Sequence, residues 1–116
     1  MKHLVISLVC TVAVAAYSFY SANFIDTFYK DMNAEIVQIE INDYSPESIE
    51  HLSAKFYDKK NMLLLISNKE HIDELEEYIT ALKVAVDNDN PLYIQLNTEM
   101  IIDVTEYIKM YACGIY

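Results

Sequence analysis

Carboxylates are the most numerous reactive side chains of this sequence, and they are densest between Glu70 and Glu77, where five acids fall within eight residues. A cation site would need several carboxylate oxygens converging from a loop. These acids instead belong to the first turns of a predicted helix that begins near Asn68, where negative charge complements the helix macrodipole. We therefore expect a solvated helix start here, with no metal ion.

A second acidic segment, Asp87-Asn-Asp-Asn-Pro91, begins like a calcium-binding loop. Such a loop also needs a glycine at its sixth position and a glutamate at its twelfth, because the chain turns sharply and the last ligand is bidentate. Both are missing from this segment. Its composition is that of a turn, in which Asp, Asn and Pro are favoured.

Nucleophilic and phosphate-binding chemistry is poorly supported. Gly114 is the only glycine, so glycine-rich phosphate loops and nucleophile elbows are excluded. Ser67 has no assignable general base, and His51 and His71 lie on predicted helices without a second ligand at metal-binding spacing. We expect no catalytic residue, no metal ion and no cofactor.

The charge of the chain narrows the choice of partners. The formal net charge is −10, and all 18 acids but only seven of the eight lysines follow Ile25, so the remainder carries −11. Such a surface repels the phosphate backbone of a nucleic acid and the headgroups of an anionic membrane leaflet. We expect a protein partner or self-association, and no nucleic acid.

The first 25 residues form a candidate targeting segment. Lys2 precedes an uncharged stretch, Leu4–Ile25, whose length suits a transmembrane helix and whose aromatic residues between Tyr17 and Tyr20 suit the membrane interface. The apolar run Leu4–Val12, followed by small residues, equally suits a cleaved signal peptide. A buried helix of a soluble domain is the third alternative. Both leading alternatives place the acidic body outside the cytoplasm, because Lys2 stays inside.

Residues 26–34 are predicted to be a polar and aromatic connector, and residues 35–116 one small domain. Within this domain, apolar alternation and short apolar runs predict three strands, and apolar residues at helical spacing predict three helices. The strands are Glu35–Ile41, Asn61–Ser67 and Leu92–Asn97, and the helices cover residues 46–57, 68–86 and 98–113. The order β-α-β-α-β-α predicts an α/β fold of three layers with a short, mostly parallel sheet, because crossovers of this length join parallel strands.

Local patterns indicate where the predicted helices begin and end. Ser45, which is followed by proline, suits an N-cap, and Ser67 with Glu70 has the spacing of a capping box. Gly114 suits a helix C-terminus, and residues 115–116 begin like a further strand. The predicted sheet is therefore one strand short, and its unpaired edge is a predicted contact surface.

The predicted binding site follows from the predicted sheet. In an open α/β sheet, ligands bind beyond the carboxyl ends of the strands. Those ends hold Asp43, Ser67, Asn68, Asn97 and Thr98, which are the binding candidates. The same residues are also the caps that the following helices need, and both interpretations stay open.

The run Ile79–Thr98 resembles the proteolytic subunit of the Clp protease and its crotonase-fold relatives. In that family, as here, a helix, an acidic loop ending in proline and a strand of the pattern apolar-Tyr-apolar-x-apolar-Asn follow one another. The resemblance extends from Met62 to Tyr111 and implies a βαβ unit. The family's Pro-Gly-Gly segment is replaced after Thr98, and its later Ser and His have no counterpart, so the resemblance implies a truncated or degenerate serine hydrolase without catalytic residues.

The layout of one apolar segment before a compact domain is also similar to that of small membrane proteins of the TolR and biopolymer-transport type. Those proteins have one span and a small βαβα periplasmic domain, so the resemblance implies an accessory subunit. Their span carries an acid for proton coupling, whereas Leu4–Ile25 contains none.

From these observations we predict a membrane-anchored or exported α/β protein that acts as a non-catalytic interaction module in an envelope or membrane assembly. We expect it to be a single-pass membrane protein with the acidic domain outside the cytoplasm, or a secreted or periplasmic protein. The predicted contact surfaces are the sheet edge and the aromatic connector, with Phe24, Phe28 and Tyr29. The alternatives are the degenerate Clp-protease-like hydrolase and the TolR-like accessory subunit.

Overall fold

Four α-helices make up the described part of the chain in the computed structural model, which describes the backbone of residues 1–112 and the side chains of residues 1–110. They are α1 (Lys2–Ile41), α2 (Pro46–Ile66), α3 (Lys69–Asp87) and α4 (Pro91–Ala112). No described residue belongs to a β-strand. The predicted α/β class, with its three layers and mostly parallel sheet, is therefore wrong, and the described fold is all-α.

The second half of α1 and the three shorter helices form an antiparallel four-helix bundle. Each helix packs against the next one along the chain, and α4 returns to pack against α1. Short turns at residues 42–45, 67–68 and 88–90 join the helices, as expected for antiparallel neighbours. The far end of the bundle is defined as the end with turns 42–45 and 88–90. The near end has turn 67–68 and the point where α1 leaves the bundle.

The core of the bundle consists of apolar side chains at three- and four-residue spacing, which is the period of a helix. Among the described side chains, the apolar rows predicted for the helices after Ser45, Asn68 and Thr98 face the core, with Val86 half-buried at its edge and Tyr111 outside the described side chains. Fully buried members of the core include Ile25, Met32, Ile39, Ile49, Leu52, Phe56, Leu63, Ile72, Leu75, Ile79, Leu82, Ile101 and Ile108.

The predicted first strand, Glu35–Ile41, continues α1. Alternation at Val37, Ile39 and Ile41 matches a strand, yet Val37 and Ile41 are exposed while Ile39 is buried. Ile36 and Ile39 instead extend the buried helical row of α1. Because the chain is already helical when it reaches this segment, each further residue adds a backbone hydrogen bond without a new nucleation step.

The other two predicted strands are helical for a related reason. Asn61–Ser67 has no proline or glycine to stop α2 early, and the helix divides its apolar run into a buried Leu63 and an exposed Leu65. Leu92–Asn97 follows Pro91 at the start of α4, where proline is favoured because its missing N–H is not needed. A short apolar run does not distinguish a strand from a helix by periodicity alone, so both predictions were wrong.

Both family resemblances lose their basis together with the strands. The Clp-protease-like and crotonase-like unit and the TolR-type domain each require a βαβ arrangement, and residues 1–112 contain no strand. The sheet edge that was predicted as a contact surface is corrected in the same way. Neither family therefore supports a function for this chain.

The helix start predicted at Thr98 is wrong, because Thr98 lies inside α4 and its Oγ1 donates to the Ile94 carbonyl one turn earlier. Ser45 caps α2 as predicted, and its Oγ accepts a hydrogen bond from the backbone N–H three residues later. The capping box predicted from Ser67 is wrong by one residue. Ser67 is the C-cap of α2, and Asn68 caps α3 by accepting a hydrogen bond from the Glu70 N–H. The helix end and strand start predicted at residues 113–116 lie outside the described residues.

Helix α1 has a projecting segment, Lys2–Tyr20, and a packed segment, Ile25–Ile41. Every side chain of the projecting segment is exposed. In the packed segment, buried residues recur on one face, and residues 26–34, predicted as a connector, carry the core residues Phe28 and Met32. The molecule is consequently elongated, with principal extents of 67 × 23 × 19 Å.

Candidate functional site

The five residues predicted to form a binding site are separated by the helical fold. Asp43 and Thr98 lie at the far end, whereas Ser67 and Asn68 form the turn at the near end. Asn97 lies in the α3–α4 groove, and its side-chain N–H donates to the carbonyl one turn earlier in α4. The separation follows from the antiparallel order, in which α1 ends and α4 begins at the far end while α2 ends at the opposite one.

Asp43 and Thr98 both line an open cleft of about 520 Å³ between the end of α1 and the start of α4. The floor of the cleft is apolar, because Ile94 is buried there and Val86 and Ile102 are half-buried. It is termed the far-end cleft. Its lining residues are Glu40, Asp43, Tyr44, Val86, Asp89, Pro91, Ile94, Gln95, Thr98, Glu99 and Ile102.

The rim of the far-end cleft is acidic. Glu40, Asp43, Asp89 and Glu99 contribute four carboxylates, and no lysine lines the cleft. Among the described residues, none of these four carboxylates has an ion-pair partner, whereas six lysines of the bundle pair with other acids. Unneutralised charges of one sign around a concave surface concentrate the negative potential there.

Tyr44 lines the cleft beside two of these carboxylates. Burial of its phenol raises the pKa of Tyr44 above the ordinary tyrosine value, and the neighbouring Glu40 and Asp43 carboxylates raise it further. Both effects disfavour the phenolate. Tyr44 is therefore a neutral hydroxyl at physiological pH, which suits hydrogen bonding to a ligand and not general-base chemistry.

Asp43 and Asp89 are placed on the rim by the same type of turn. Asp43 follows the C-cap of α1 with a φ of 55°, and Asp89 follows the C-cap of α3 with a φ of 51°. In each turn, the residue after the aspartate donates its N–H to the carbonyl five residues earlier, as in a Schellman motif. Glycine is the usual residue at this left-handed position, so both helix ends carry an aspartate where glycine is easier to accommodate.

Sequence reasoning missed Glu40, Tyr44, Asp89 and Glu99 as neighbours of one cleft. The sequence pattern that could have identified the cleft is an aspartate just after each of two helix ends, in turns 42–45 and 88–90. That pattern becomes visible only when both preceding segments are assigned as helices. The strand assigned to the end of α1 concealed it.

The described residues do not form a metal site. No group of three or more His, Cys, Asp or Glu side chains within them is arranged to hold a metal ion. His51 pairs with Glu35 between α2 and α1, with 2.7 Å between Nδ1 and Oε2. His71 of α3 stacks on Tyr107 of α4, with 6.1 Å between ring centroids. Both histidines therefore contact a neighbouring helix of the bundle.

The near end has an apolar patch at the end of α2. At the end of α2, Leu65 is 75% exposed and Leu64 and Ile66 are half-buried. The 21 residues of α2 measure about 31 Å and run back along α1, so these side chains lie beside the point where α1 leaves the bundle. The contact of the Lys59 Nζ with the Phe24 ring, 5.6 Å from its centroid, fixes the same alignment of the two helices.

The projecting segment is exposed on every side and, after Lys2 and His3, mostly apolar, with Ser7, Thr11 and Ser18 on one face. It belongs to the one helix among the described residues that is long and apolar enough to cross a membrane, by length and composition, and its most apolar stretch has no buried residue. The segment measures about 28 Å, close to the roughly 30 Å of a bilayer's hydrocarbon core. A single membrane span and a signal sequence both have this form.

Comparisons with known proteins assign no family to this fold. No protein-family model, no curated protein and no solved structure matches the chain.

Proposed function

We propose that this chain is a single-pass membrane protein that holds an acidic, non-catalytic four-helix module outside the cytoplasm, where the module binds a protein partner within a membrane assembly. The observation that carries the proposal is the division of α1. Its projecting segment is exposed on all sides, whereas its packed segment supplies core residues to the bundle.

Water is a poor solvent for the projecting segment. Leu4 is 70% exposed, Leu8 64% and Phe19 72%. Removing a side chain of this size from water is favourable by about 1.5–3 kcal/mol. A bilayer covers all faces of a helix at once and requires only that the backbone hydrogen bonds be complete, as they are in an α-helix. A single neighbouring helix would cover one face only.

The near end supports the same arrangement. Tyr17 and Tyr20 occupy the last turn of the projecting segment, where aromatic side chains favour the membrane interface. Leu65 and Ile66 add apolar surface beside this point. Because α1 is unbroken through the junction, the bundle continues the axis of the span. The near end then rests on the membrane, and the far-end cleft points away from it.

Charge distribution supports the proposed orientation. Lys2 is the first residue of the projecting segment, and all 18 acids of the chain follow the segment. Positive residues beside a span favour the cytoplasmic side. The proposed interaction role follows from the far-end cleft, which offers an open, acidic and apolar-floored surface without the elements of a metal site.

The test of the anchor compares two double substitutions in α1 that add the same charges at exposed apolar positions. Leu8→Asp/Val12→Asp lies in the projecting segment, and Val37→Asp/Ile41→Asp lies on the solvent face of the packed segment. We expect the first variant to leave the membrane fraction on alkaline carbonate extraction, because each aspartate in a span costs about 2.5–3.5 kcal/mol. The second variant should stay in the membrane. Equal behaviour of the two variants would contradict the anchor.

Intact mass and protease access test the rest of the proposal. We expect the membrane fraction to contain the chain with its full N-terminal segment, and protease added outside the cytoplasmic membrane to digest the bundle. A mature chain that starts after Ala15 or Ser18 would show a cleaved signal peptide instead. If the protease digests the bundle only after detergent has dissolved the membrane, the bundle faces the cytoplasm and the proposed orientation is wrong.

A further inference from the structure

We propose that the far-end cleft is a docking site for a lysine- or arginine-rich amphipathic segment of a partner protein. The inference rests on the proposed function in one respect, since it names the chemical class of the partner that the module binds. It does not depend on the anchor, because the cleft lies at the opposite end of the bundle from the projecting segment.

The shape and floor of the cleft call for an apolar group. About 520 Å³ is within the range of ligand pockets, and the cleft opens to solvent between α1 and α4. Ile94, Val86 and Ile102 form its floor, continuous with the core of the bundle. An aliphatic side chain placed on this floor would bury apolar surface on both partners, which is the main source of affinity in such contacts.

The rim restricts the occupant to a cation. Glu40, Asp43, Asp89 and Glu99 surround the floor, and none of them is neutralised by a lysine within the described part of the chain. A second copy of the chain would bring its own net charge of −10 against this rim, so self-association through the cleft is disfavoured. Nucleic acids and anionic lipids are disfavoured for the same reason. A basic segment with apolar residues on one face satisfies both rim and floor.

Two rim residues oppose the stability of their own helices. Asp43 and Asp89 have left-handed backbone conformations that glycine adopts more readily. Both also place a negative charge at the C-terminus of a helix, α1 or α3, where the macrodipole favours a positive charge. Side chains that destabilise the fold and line one cleft together are typical of a binding surface.

The proposal is tested on the full chain in nanodiscs of zwitterionic lipid, with empty nanodiscs as the blank. The probe is the hexapeptide KLKKLK, and the matched probe KGKKGK has the same charge without apolar side chains. We expect KLKKLK to shift the backbone amide NMR signals of Tyr44, Ile94 and Thr98 with a dissociation constant of about 100 µM. KGKKGK should bind at least about tenfold more weakly, because it lacks the apolar contact.

Two double variants with equal charge change complete the test. Asp43→Asn/Asp89→Asn should weaken KLKKLK binding about fivefold or more while raising the melting temperature by roughly 2–5 °C, since asparagine tolerates the left-handed conformation and removes the charge. The control, Glu77→Gln/Asp103→Asn, changes two exposed acids outside the cleft and should weaken binding less than about twofold.

Three results would overturn the proposal: equal binding of KLKKLK and KGKKGK, equal loss in the two double variants, or shifts spread over the whole bundle. Any of them would mean that the peptide responds only to net charge. Carbonate extraction of the same variants measures anchoring separately, so loss of peptide binding with intact anchoring refutes the docking site alone.

Discussion

The projecting and packed segments of α1 share one continuous helix but differ in how apolar side chains are distributed around its axis. The projecting segment is exposed and mostly apolar around its axis, with only the small hydroxyls of Ser7, Thr11 and Ser18 on one face, whereas the packed segment has a buried row and, opposite it, exposed and charged positions. A helix that is apolar all round belongs in lipid or in the middle of a protein, and an amphipathic one belongs at the surface of a bundle. The surroundings of a helix are therefore set by this distribution, and not by where the helix begins and ends.

The two segments also differ in what they contribute to the stability of the bundle. The packed segment contacts α2 and α4 and contributes to one cooperative core. The projecting segment has no contact of this kind from Lys2 to Tyr20. Substitutions in the packed segment should therefore change the free energy of unfolding of the bundle, whereas the same substitutions in the projecting segment should not.

The largest expected contrast comes from two phenylalanines of α1. Phe28 is 2% exposed in the core, and Phe19 is 72% exposed in the projecting segment. We expect Phe28→Ala to lower the free energy of unfolding of the bundle by about 3–5 kcal/mol, because it leaves a cavity. Phe19→Ala should leave it unchanged. The measurement is urea unfolding of the nanodisc-inserted chain, followed by circular dichroism, and a similar loss in both variants would mean that the segments unfold together.

A smaller contrast comes from two exposed alanines in the same helix. Ala34→Gly in the packed segment should cost about 1 kcal/mol of bundle stability, because glycine lowers helix propensity without changing a buried contact. Ala16→Gly in the projecting segment should cost the bundle nothing. Native-state hydrogen exchange of core amides in α3 measures the stability of the bundle in both variants. Weaker protection in the Ala16→Gly variant would contradict the energetic division.

The smallest expected effect lies at the junction of the two segments. A hydrogen bond from Lys30 lowers the pKa of Asp26, and the charge of Lys109 on α4 lowers it further. A carboxyl whose pKa is lower in the folded chain stabilises the fold above its unfolded pKa, near 3.9, and this contribution disappears as the pH falls through the lowered value. We expect Asp26→Asn to be slightly less stable than the unchanged chain at pH 7 and equal to it at strongly acidic pH.

Solvent exposure makes this contribution small. The matched control is Asp103→Asn, which neutralises an exposed acid of α4 without an ion-pair partner among the described residues. Thermal melting at a series of pH values from 7 downward measures both variants. If the difference for Asp26→Asn grew as the pH fell, the assigned ion pairs would be wrong.

Prediction from sequence succeeded where one structural period was unambiguous. Ile72, Leu75, Ile79 and Leu82 keep helical spacing over a long segment, and they form the core face of α3. Ser45 preceding proline marked the start of α2 because that cap is a local interaction. Both conclusions depend on residues only a few positions apart, so no distant part of the chain was needed.

Prediction of secondary structure failed where an apolar run was so short that it fitted the period of a strand and that of a helix equally well. Asn61–Ser67 and Leu92–Asn97 each hold about six residues, which is a typical strand length and less than two helical turns. The grouping of Ser67 and Asn97 with Asp43 rested on the carboxyl ends of predicted strands, and the described chain contains no strand. Asp43 and Thr98 do lie in one cleft, but on helices that meet for a different reason.

By itself the sequence determined the uncharged N-terminal segment, the excess of acids after it, and the apolar row of α3, because each depends on composition or on local spacing. Only the tertiary structure decided that the three predicted strands are helical and that Glu40, Asp43, Asp89 and Glu99 surround one apolar floor. Those outcomes depend on which surfaces pack together across distant parts of the chain. This packing buries Ile39 and Leu63 and leaves Val37 and Leu65 exposed to solvent, although all four are aliphatic residues.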